Sequence, residues 1–168
     1  MAPLWLLIVT QISTIACALV SGVFLAFSEF IMRSLDKSER PAGIEVMQVI
    51  NREVFRTFFM VCLIGISAMS LAFCAYAYVT LSGPLASWVM AGGAIYLLAV
   101  FGVTLAFNVP MNTHLDRLDY QSTDAKAYWE GIYFPRWTFW NHVRAIGAGA
   151  SAICYLVAGL LLAQASTT

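Results

Sequence analysis

The segment PRWTFWNHVR, residues 135–144, brings three chemically capable side chains together where a long apolar run begins. Asn141 offers an amide that donates and accepts hydrogen bonds, His142 an imidazole that transfers protons, and Arg144 a permanent charge that binds anions. The run continues to Ala163 with apolar and small residues. Polar groups inside a segment of membrane length are costly unless paired, so they indicate a functional site by default.

Other polar side chains fall on helix faces that would meet this segment. Successive helix residues are about 100° apart, which places Trp137, Asn141 and Arg144 on one stripe and His142 beside it. Glu29 continues a stripe of small residues of the kind that packs against a neighbouring helix, so we expect it to point into the bundle. We therefore predict a cavity with apolar walls and a set of polar lining residues: Glu29, Asn51, Asn108, Asn112, Asn141 and Arg144, with Trp137, Trp140 and Phe101 as walls.

The same residues also have a purely structural explanation. Amides join helices inside membranes, and a pair between Glu29 and Arg33 or Arg144 would tie two spans without any ligand. The polar residues gather at one end of the predicted bundle, in a number that exceeds what helix pairing usually needs. We therefore favour a site and keep the structural subunit as an alternative.

The elements that must position these residues follow from the apolar pattern. Hydrophobic residues make up 61% of the 168-residue chain and charged residues 11%, which is far from the composition of a soluble domain. Each of four apolar segments reaches the roughly 20 residues that a membrane-spanning helix needs. We expect one four-span domain over residues 1–168, with a first segment that is a span and no cleaved signal peptide. The predicted spans are Leu4–Ile31, Thr57–Leu81, Leu85–Val109 and Phe139–Ala163.

The charge distribution predicts an orientation in the cell membrane. All nine Lys and Arg residues lie in or beside the first and third connections, whereas the ends of the chain and the Ser82–Pro84 turn carry none. Cytoplasmic connections of membrane proteins carry an excess of Lys and Arg. We expect both long connections in the cytoplasm and both termini outside.

An offset of 80 residues reveals an internal similarity. Val20–Asp36 lies over Val100–Asp116 with eight identities in seventeen positions. A polar connector with a short helix and then another span follows each copy, near Pro41 in the first and at Asp124–Tyr133 in the second. The predicted fold is an all-α membrane four-helix bundle made of two helix–connector–helix repeats with interfacial helices in the connectors.

Three segments resemble a known family of membrane proteins. NVPMNTHLD (residues 108–116), WTFWNHVR (residues 137–144) and SGVFLAFSEFIMRSL (residues 21–35) are similar to the anthrone-oxygenase-like proteins. Fungal members of that family oxidise anthrones to anthraquinones without an organic cofactor. The resemblance implies a membrane-bound oxygenase that acts with O₂ on an apolar aromatic molecule, and it leaves a metal open.

The resemblance also implies roles for the candidate residues. Loss of an acidic C–H proton from an anthrone gives an electron-rich anion that reduces O₂. Glu29 or His142 would be the base, with Glu29 favoured by its inward direction, and Arg144 would hold the anion. The predicted substrate-binding residues are Asn51, Asn108, Asn112, Asn141, Trp137 and Trp140.

Two other functions remain open at this point. Glu29, His114 and His142 would form a ligand set for a metal or haem. Alternatively, a buried Glu29 would drive proton-coupled transport of a small molecule. The mixed charge of the connectors and the lack of a Gly-rich phosphate loop argue against nucleic-acid binding, so the expected partners are the lipid bilayer and an apolar aromatic molecule. The sequence does not indicate an oligomeric state.

Overall fold

A computed structural model describes residues 3–167, except for the side chains of residues 40, 166 and 167. Within this part of the chain the fold is all-α, with five helices and one 3₁₀ turn at Val54–Arg56. Four of the helices are long and apolar enough to cross a membrane, and α2 is a shorter connector helix. The helices are α1 Leu4–Lys37, α2 Arg40–Glu53, α3 Phe58–Thr80, α4 Gly83–Asp116 and α5 Thr123–Ala165.

Three of the spans are longer than the apolar runs that predict them. α1 and α4 continue past Ile31 and Val109 into polar sequence, and each is 34 residues long. In the second connector, the prediction of a separate short helix is wrong, because Asp124–Tyr133 forms the first turns of α5. The two connectors therefore differ in form. The internal repeat at an offset of 80 residues stays a prediction from the sequence.

The bundle core forms around α5. This helix packs along α1 and against α4, while α3 packs against α1 and the first part of α4. Small residues allow the close approach, since a Cβ atom added at Gly147 would lie 2.7 Å from the Cβ of Ala99. The core is completed by buried side chains from all four spans, including Leu6, Val20, Leu63, Phe73, Val89, Tyr96 and Tyr155.

Both connectors lie at one end of the bundle, which we call the connector end. Gln48 of α2 donates to the carbonyl oxygens of Leu115 (2.8 Å) and Leu118 (2.9 Å), and so caps the end of α4. Arg52 forms an ion pair with Asp116 at 2.6 Å. A second apolar cluster lies behind these bonds and includes Met32, Ile44, Met47, Leu115, Trp129, Tyr133 and Trp137. These contacts hold α2 against the connector ends of α4 and α5.

Wider π-helical segments interrupt the α-helices near this end. They occur at Phe27–Ile31 in α1, at Tyr96–Gly102 and Thr104–Asn108 in α4, and at Trp129–Trp137 in α5. The chain stays helical through Pro110, and a π-helical segment ends two residues before this proline. A wider turn accommodates a residue that cannot donate a backbone hydrogen bond. Each such turn also shifts which side chains face the interior.

Candidate functional site

A cavity of about 470 Å³ lies at the connector end, where α3 and α4 separate. The contacts between these two helices are concentrated in Gly83–Gly102 of α4, and beyond that point the gap opens. α1 and α2 close two further sides, and Trp137 and Arg144 of α5 form the inner wall. The remaining walls are largely apolar and include Phe24, Phe27, Met47, Phe59 and Phe101.

Arg144 lies in this wall with only 5% of its surface exposed. Its Nη2 donates to Asn141 Oδ1 at 2.7 Å, and Nη1 makes a long contact of 3.4 Å with Thr104 Oγ1. The guanidinium carbon stands 4.2 Å from the ring centre of Phe24 and 5.2 Å from that of Trp137. Nε has no protein partner, and no carboxylate among the described side chains pairs with this cation. A buried charge without a counterion is costly, so the site is electrostatically incomplete without an electron-rich ligand.

Asn108 lines the same cavity and is 1% exposed. Its Nδ2 donates to the backbone oxygen of Trp137 at 3.3 Å. Its Oδ1 is buried and has no hydrogen-bond partner among the described residues. Asn108 therefore holds a buried acceptor without a partner, and Arg144 a buried donor without one, among the described residues.

Asn112 is held by two donors on α5. Its Oδ1 accepts hydrogen bonds from Tyr133 Oη at 2.9 Å and from Trp137 Nε1 at 2.8 Å. The Tyr133 hydroxyl in turn accepts from Asn51 Nδ2 at 3.2 Å. Because indole N–H only donates, the amide of Asn112 is fixed with its NH₂ group away from Trp137. Asn51 and Asn112 both line the cavity, as the sequence predicts.

Asn141 is fully buried behind the cavity and does not line it, so its role as a substrate-binding residue stays a prediction. Its Nδ2 donates to the Phe24 carbonyl oxygen and to Ser28 Oγ, both at 2.6 Å, and its Oδ1 accepts from Arg144. All its hydrogen-bonding groups are used inside the protein. Asn141 therefore ties α5 to α1 and positions Arg144.

Glu29 and His142 lie outside the cavity, and the prediction that Glu29 points into the bundle is wrong. Their side chains are 57% and 41% exposed, and Glu29 Oε1 stands 3.9 Å from His142 Nε2. The stripe of small residues that predicted this direction itself lies on the outside of the bundle, since Gly22 and Leu25 are exposed. Ser28 takes the inward position instead and is buried.

Trp140 also lies outside the cavity. Its ring stacks on Phe107 with centroids 3.7 Å apart and planes 5° apart, and both line a separate outer groove together with Arg136. Trp137 and Trp140 are three residues apart, so they point about 60° away from each other on a helix. Only Trp137 is directed at the cavity.

Sequence reasoning missed Tyr133 as a site residue. The sequence predicts it in a separate interfacial helix, whereas it precedes Trp137 by one turn of the same helix and is fully buried. The aromatic spacing Trp129, Tyr133, Trp137 was the available signal. It becomes meaningful only when the connector and the span are treated as one helix.

The ligand set considered for a metal is not assembled. His114 packs against Tyr128 with ring centroids 4.3 Å apart, and the Glu29–His142 pair has no third ligand. Among the described residues, no group of three His, Cys, Asp or Glu side chains is arranged to hold a metal ion.

The sequence matches one protein family. The model of a family described as anthrone oxygenase matches residues 52–154, which is more than half of the chain. The matched range contains Asn108, Asn112, Trp137 and Arg144, whereas Asn51 and the whole of α1 precede it. No curated protein and no solved structure matches the chain.

Proposed function

We propose that the protein is an integral membrane oxygenase that oxidises an anthrone-like aromatic molecule with O₂, since the chain belongs to the anthrone oxygenase family. The cavity between α3 and α4 would be its active site. One observation carries the proposal: Arg144 is a buried cation without an acidic partner, on the wall of an apolar cavity. Such a site suits a flat, apolar ligand on which negative charge develops.

The size and the opening of the cavity support this choice of substrate. A volume of about 470 Å³ lies within the range of pockets for small organic molecules. Phe24, Phe27 and Phe101 offer aromatic surfaces to a fused-ring ligand. The rim residues Ile64 and Leu105 are exposed on spans that would face lipid, so the substrate would enter sideways from the bilayer.

Arg144 would make the C–H group of the bound substrate more acidic. An anthrone carries a CH₂ group opposite its ketone, and loss of a proton from that carbon places negative charge on the ketone oxygen. A guanidinium fixed beside that oxygen stabilises the anion without reorganisation during the reaction. Asn141 holds Nη2 in place, and Nε has no hydrogen-bond partner among the described residues.

The oxidation then needs no oxidant other than O₂. The anion transfers one electron to O₂, and the resulting substrate radical and superoxide combine through a new C–O bond. After protonation, the hydroperoxide loses water and leaves a second ketone at the former CH₂ carbon. One anthrone and one O₂ give one anthraquinone and one water.

The proton acceptor that we propose differs from the one that the sequence predicts. Glu29 and His142 lie outside the cavity, and the acid that lines it is Glu53, which is exposed at the mouth. We propose that the proton leaves through this mouth to Glu53 or to water. The transporter alternative loses its support, because it requires a buried acid and Glu29 is exposed.

The test is oxidation of an anthrone by the purified protein in lipid nanodiscs. We expect anthraquinone formation and O₂ uptake in equal amounts, above the protein-free rate. Arg144→Met removes the charge at similar length and should lower the rate by about 10²-fold, as loss of one oxyanion-stabilising donor does. The matched control is Arg136→Met, an exposed arginine of the same helix, which should keep the rate. Equal rates with and without the protein would contradict the proposal.

A further inference from the structure

We propose that the side-chain NH₂ group of Asn112 donates a hydrogen bond to the oxygen that the reaction adds to the substrate. The inference rests on the proposed function, in which Arg144 holds the ketone oxygen on the opposite side of the central ring. It starts from the hydrogen bonds of Asn112, which use its Oδ1 twice and its Nδ2 not at all. Asn112 is then a second catalytic residue beside Arg144.

Two donors on α5 fix the orientation of the Asn112 amide. Trp137 Nε1 can only donate, and it lies 2.8 Å from Oδ1. The Tyr133 hydroxyl accepts from Asn51 Nδ2 at 3.2 Å and donates its single hydrogen to Oδ1 at 2.9 Å. Turning the amide around would place its NH₂ group against the indole N–H. The NH₂ group therefore stays on the side away from Trp137.

The NH₂ group of Asn112 is accessible and lacks a protein partner. No described residue accepts a hydrogen bond from Nδ2, and the fully buried polar atoms without a partner are on Asn108, Thr138 and Arg144 instead. Asn112 is half-buried and lines the cavity. Donors on the oxygen of an amide also polarise it, which strengthens its N–H groups as donors. The cavity wall therefore offers a ligand an oriented donor at this residue.

Arg144 and Asn112 lie at different levels of the cavity. Arg144 Nη1 contacts Thr104, and Asn112 lies about two turns further along α4, toward the connector end. A ligand with a single oxygen would therefore pair with one of the two residues. The two oxygens of a para-quinone leave its central ring in opposite directions, so a para-quinone can pair with both. In the proposed reaction, the second of these oxygens comes from O₂.

The same donor would act on the intermediate that precedes the product. When superoxide combines with the substrate radical, a C–O bond forms and the negative charge resides on the outer peroxide oxygen. An N–H group fixed beside the peroxide stabilises this charge until protonation and loss of water. The oxygen that stays on the ring then becomes the second ketone and keeps Asn112 as its donor.

The experiment compares anthrone and anthraquinone, which differ by this second oxygen, in binding to the wild-type protein in nanodiscs. Oxygen is excluded so that anthrone is not consumed, and affinities are expressed against the mole fraction of ligand in the lipid. We expect anthraquinone to bind more tightly by about 2- to 10-fold, because one hydrogen bond contributes about that factor and lipid tails offer no donor. A ratio below about twofold overturns the proposal.

A variant then assigns the preference to one residue. Asn112→Leu should remove the advantage of anthraquinone, while Met111→Leu, on the outer-groove side of the same helix, should keep it. An unchanged preference in Asn112→Leu overturns the assignment, and the wild-type comparison stands by itself if that variant does not fold. Since none of these measurements requires turnover, a protein that shows the preference without oxidising anthrones would contradict only the proposed function.

Discussion

Asn141 and Arg144 illustrate how one residue prepares another for chemistry. The amide of Asn141 makes three hydrogen bonds inside the protein, two to α1 and one to the guanidinium. The Nε of Arg144 is buried and has no hydrogen-bond partner among the described residues. In the proposed mechanism, Asn141 positions the guanidinium and Arg144 contacts the ligand.

Asn141→Leu should therefore affect both folding and rate. The change removes the side-chain donor to the Phe24 carbonyl and to Ser28 and leaves one nitrogen of Arg144 without its partner, and we expect it to lower the free energy of unfolding by about 2–4 kcal/mol. The anthrone oxidation rate should fall nearly as far as in Arg144→Met. Thermal unfolding in detergent and the oxidation assay measure the two effects.

Ser28→Ala is the matched control for that variant. It removes one partner of Asn141 and leaves the bonds to Phe24 and Arg144, so the loss of stability should stay near about 1 kcal/mol. A full oxidation rate in Asn141→Leu would show that the position of Arg144 does not depend on this amide.

Residue types predict part of this site and miss the rest for a definable reason. Asn108, Asn112 and Arg144 stand out because polar groups are rare in apolar runs, and all three line the cavity. Glu29 stands out for the same reason, yet it lies on the outside. Composition identifies a costly side chain, but its direction depends on the turns that precede it.

At the scale of elements, helix length and helix regularity differ in how well sequence predicts them. The membrane thickness fixes the minimum length of an apolar run, so the existence of four spans follows from hydrophobicity alone. The positions of the helix ends do not follow from hydrophobicity, because α4 and α5 continue through polar connectors where tertiary contacts hold them. The π-helical segments at Phe27–Ile31 and Trp129–Trp137 have no comparable signature in the sequence.

The cap of α4 by Gln48 offers a test at this scale. Gln48→Leu keeps an apolar body but leaves the carbonyl oxygens of Leu115 and Leu118 without their side-chain donor. We expect a loss of about 2 kcal/mol in the free energy of unfolding, measured by thermal denaturation. Gln121→Leu, in the exposed second connector, should change stability by less than about 0.5 kcal/mol. Equal stabilities of the two variants would show that α2 does not hold the connector end.

At the scale of the whole molecule, the two connectors meet at one end, and the charged residues lie in or beside them. The ion pair between Arg52 and Asp116 joins the first connector to the end of α4. The orientation of this end relative to the membrane remains a prediction from the charge distribution, with both connectors in the cytoplasm.

Cysteine labelling in intact cells tests this orientation. In a variant with the four native cysteines replaced by alanine, Ser82→Cys marks the α3–α4 turn and Gln121→Cys marks the second connector. An impermeant maleimide should label position 82 directly and position 121 only after the membrane is opened. The reverse pattern would place the connectors outside.

The sideways opening between α3 and α4 affects how the protein would meet its substrate. Its rim includes Ile64 and Leu105, both of which are exposed on helices long enough to cross a bilayer. Occupancy of the cavity would follow the mole fraction of the aromatic in the surrounding lipid, and not its concentration in water. A product of similar shape and apolarity would leave by the same route, so its build-up in the bilayer would compete with fresh substrate.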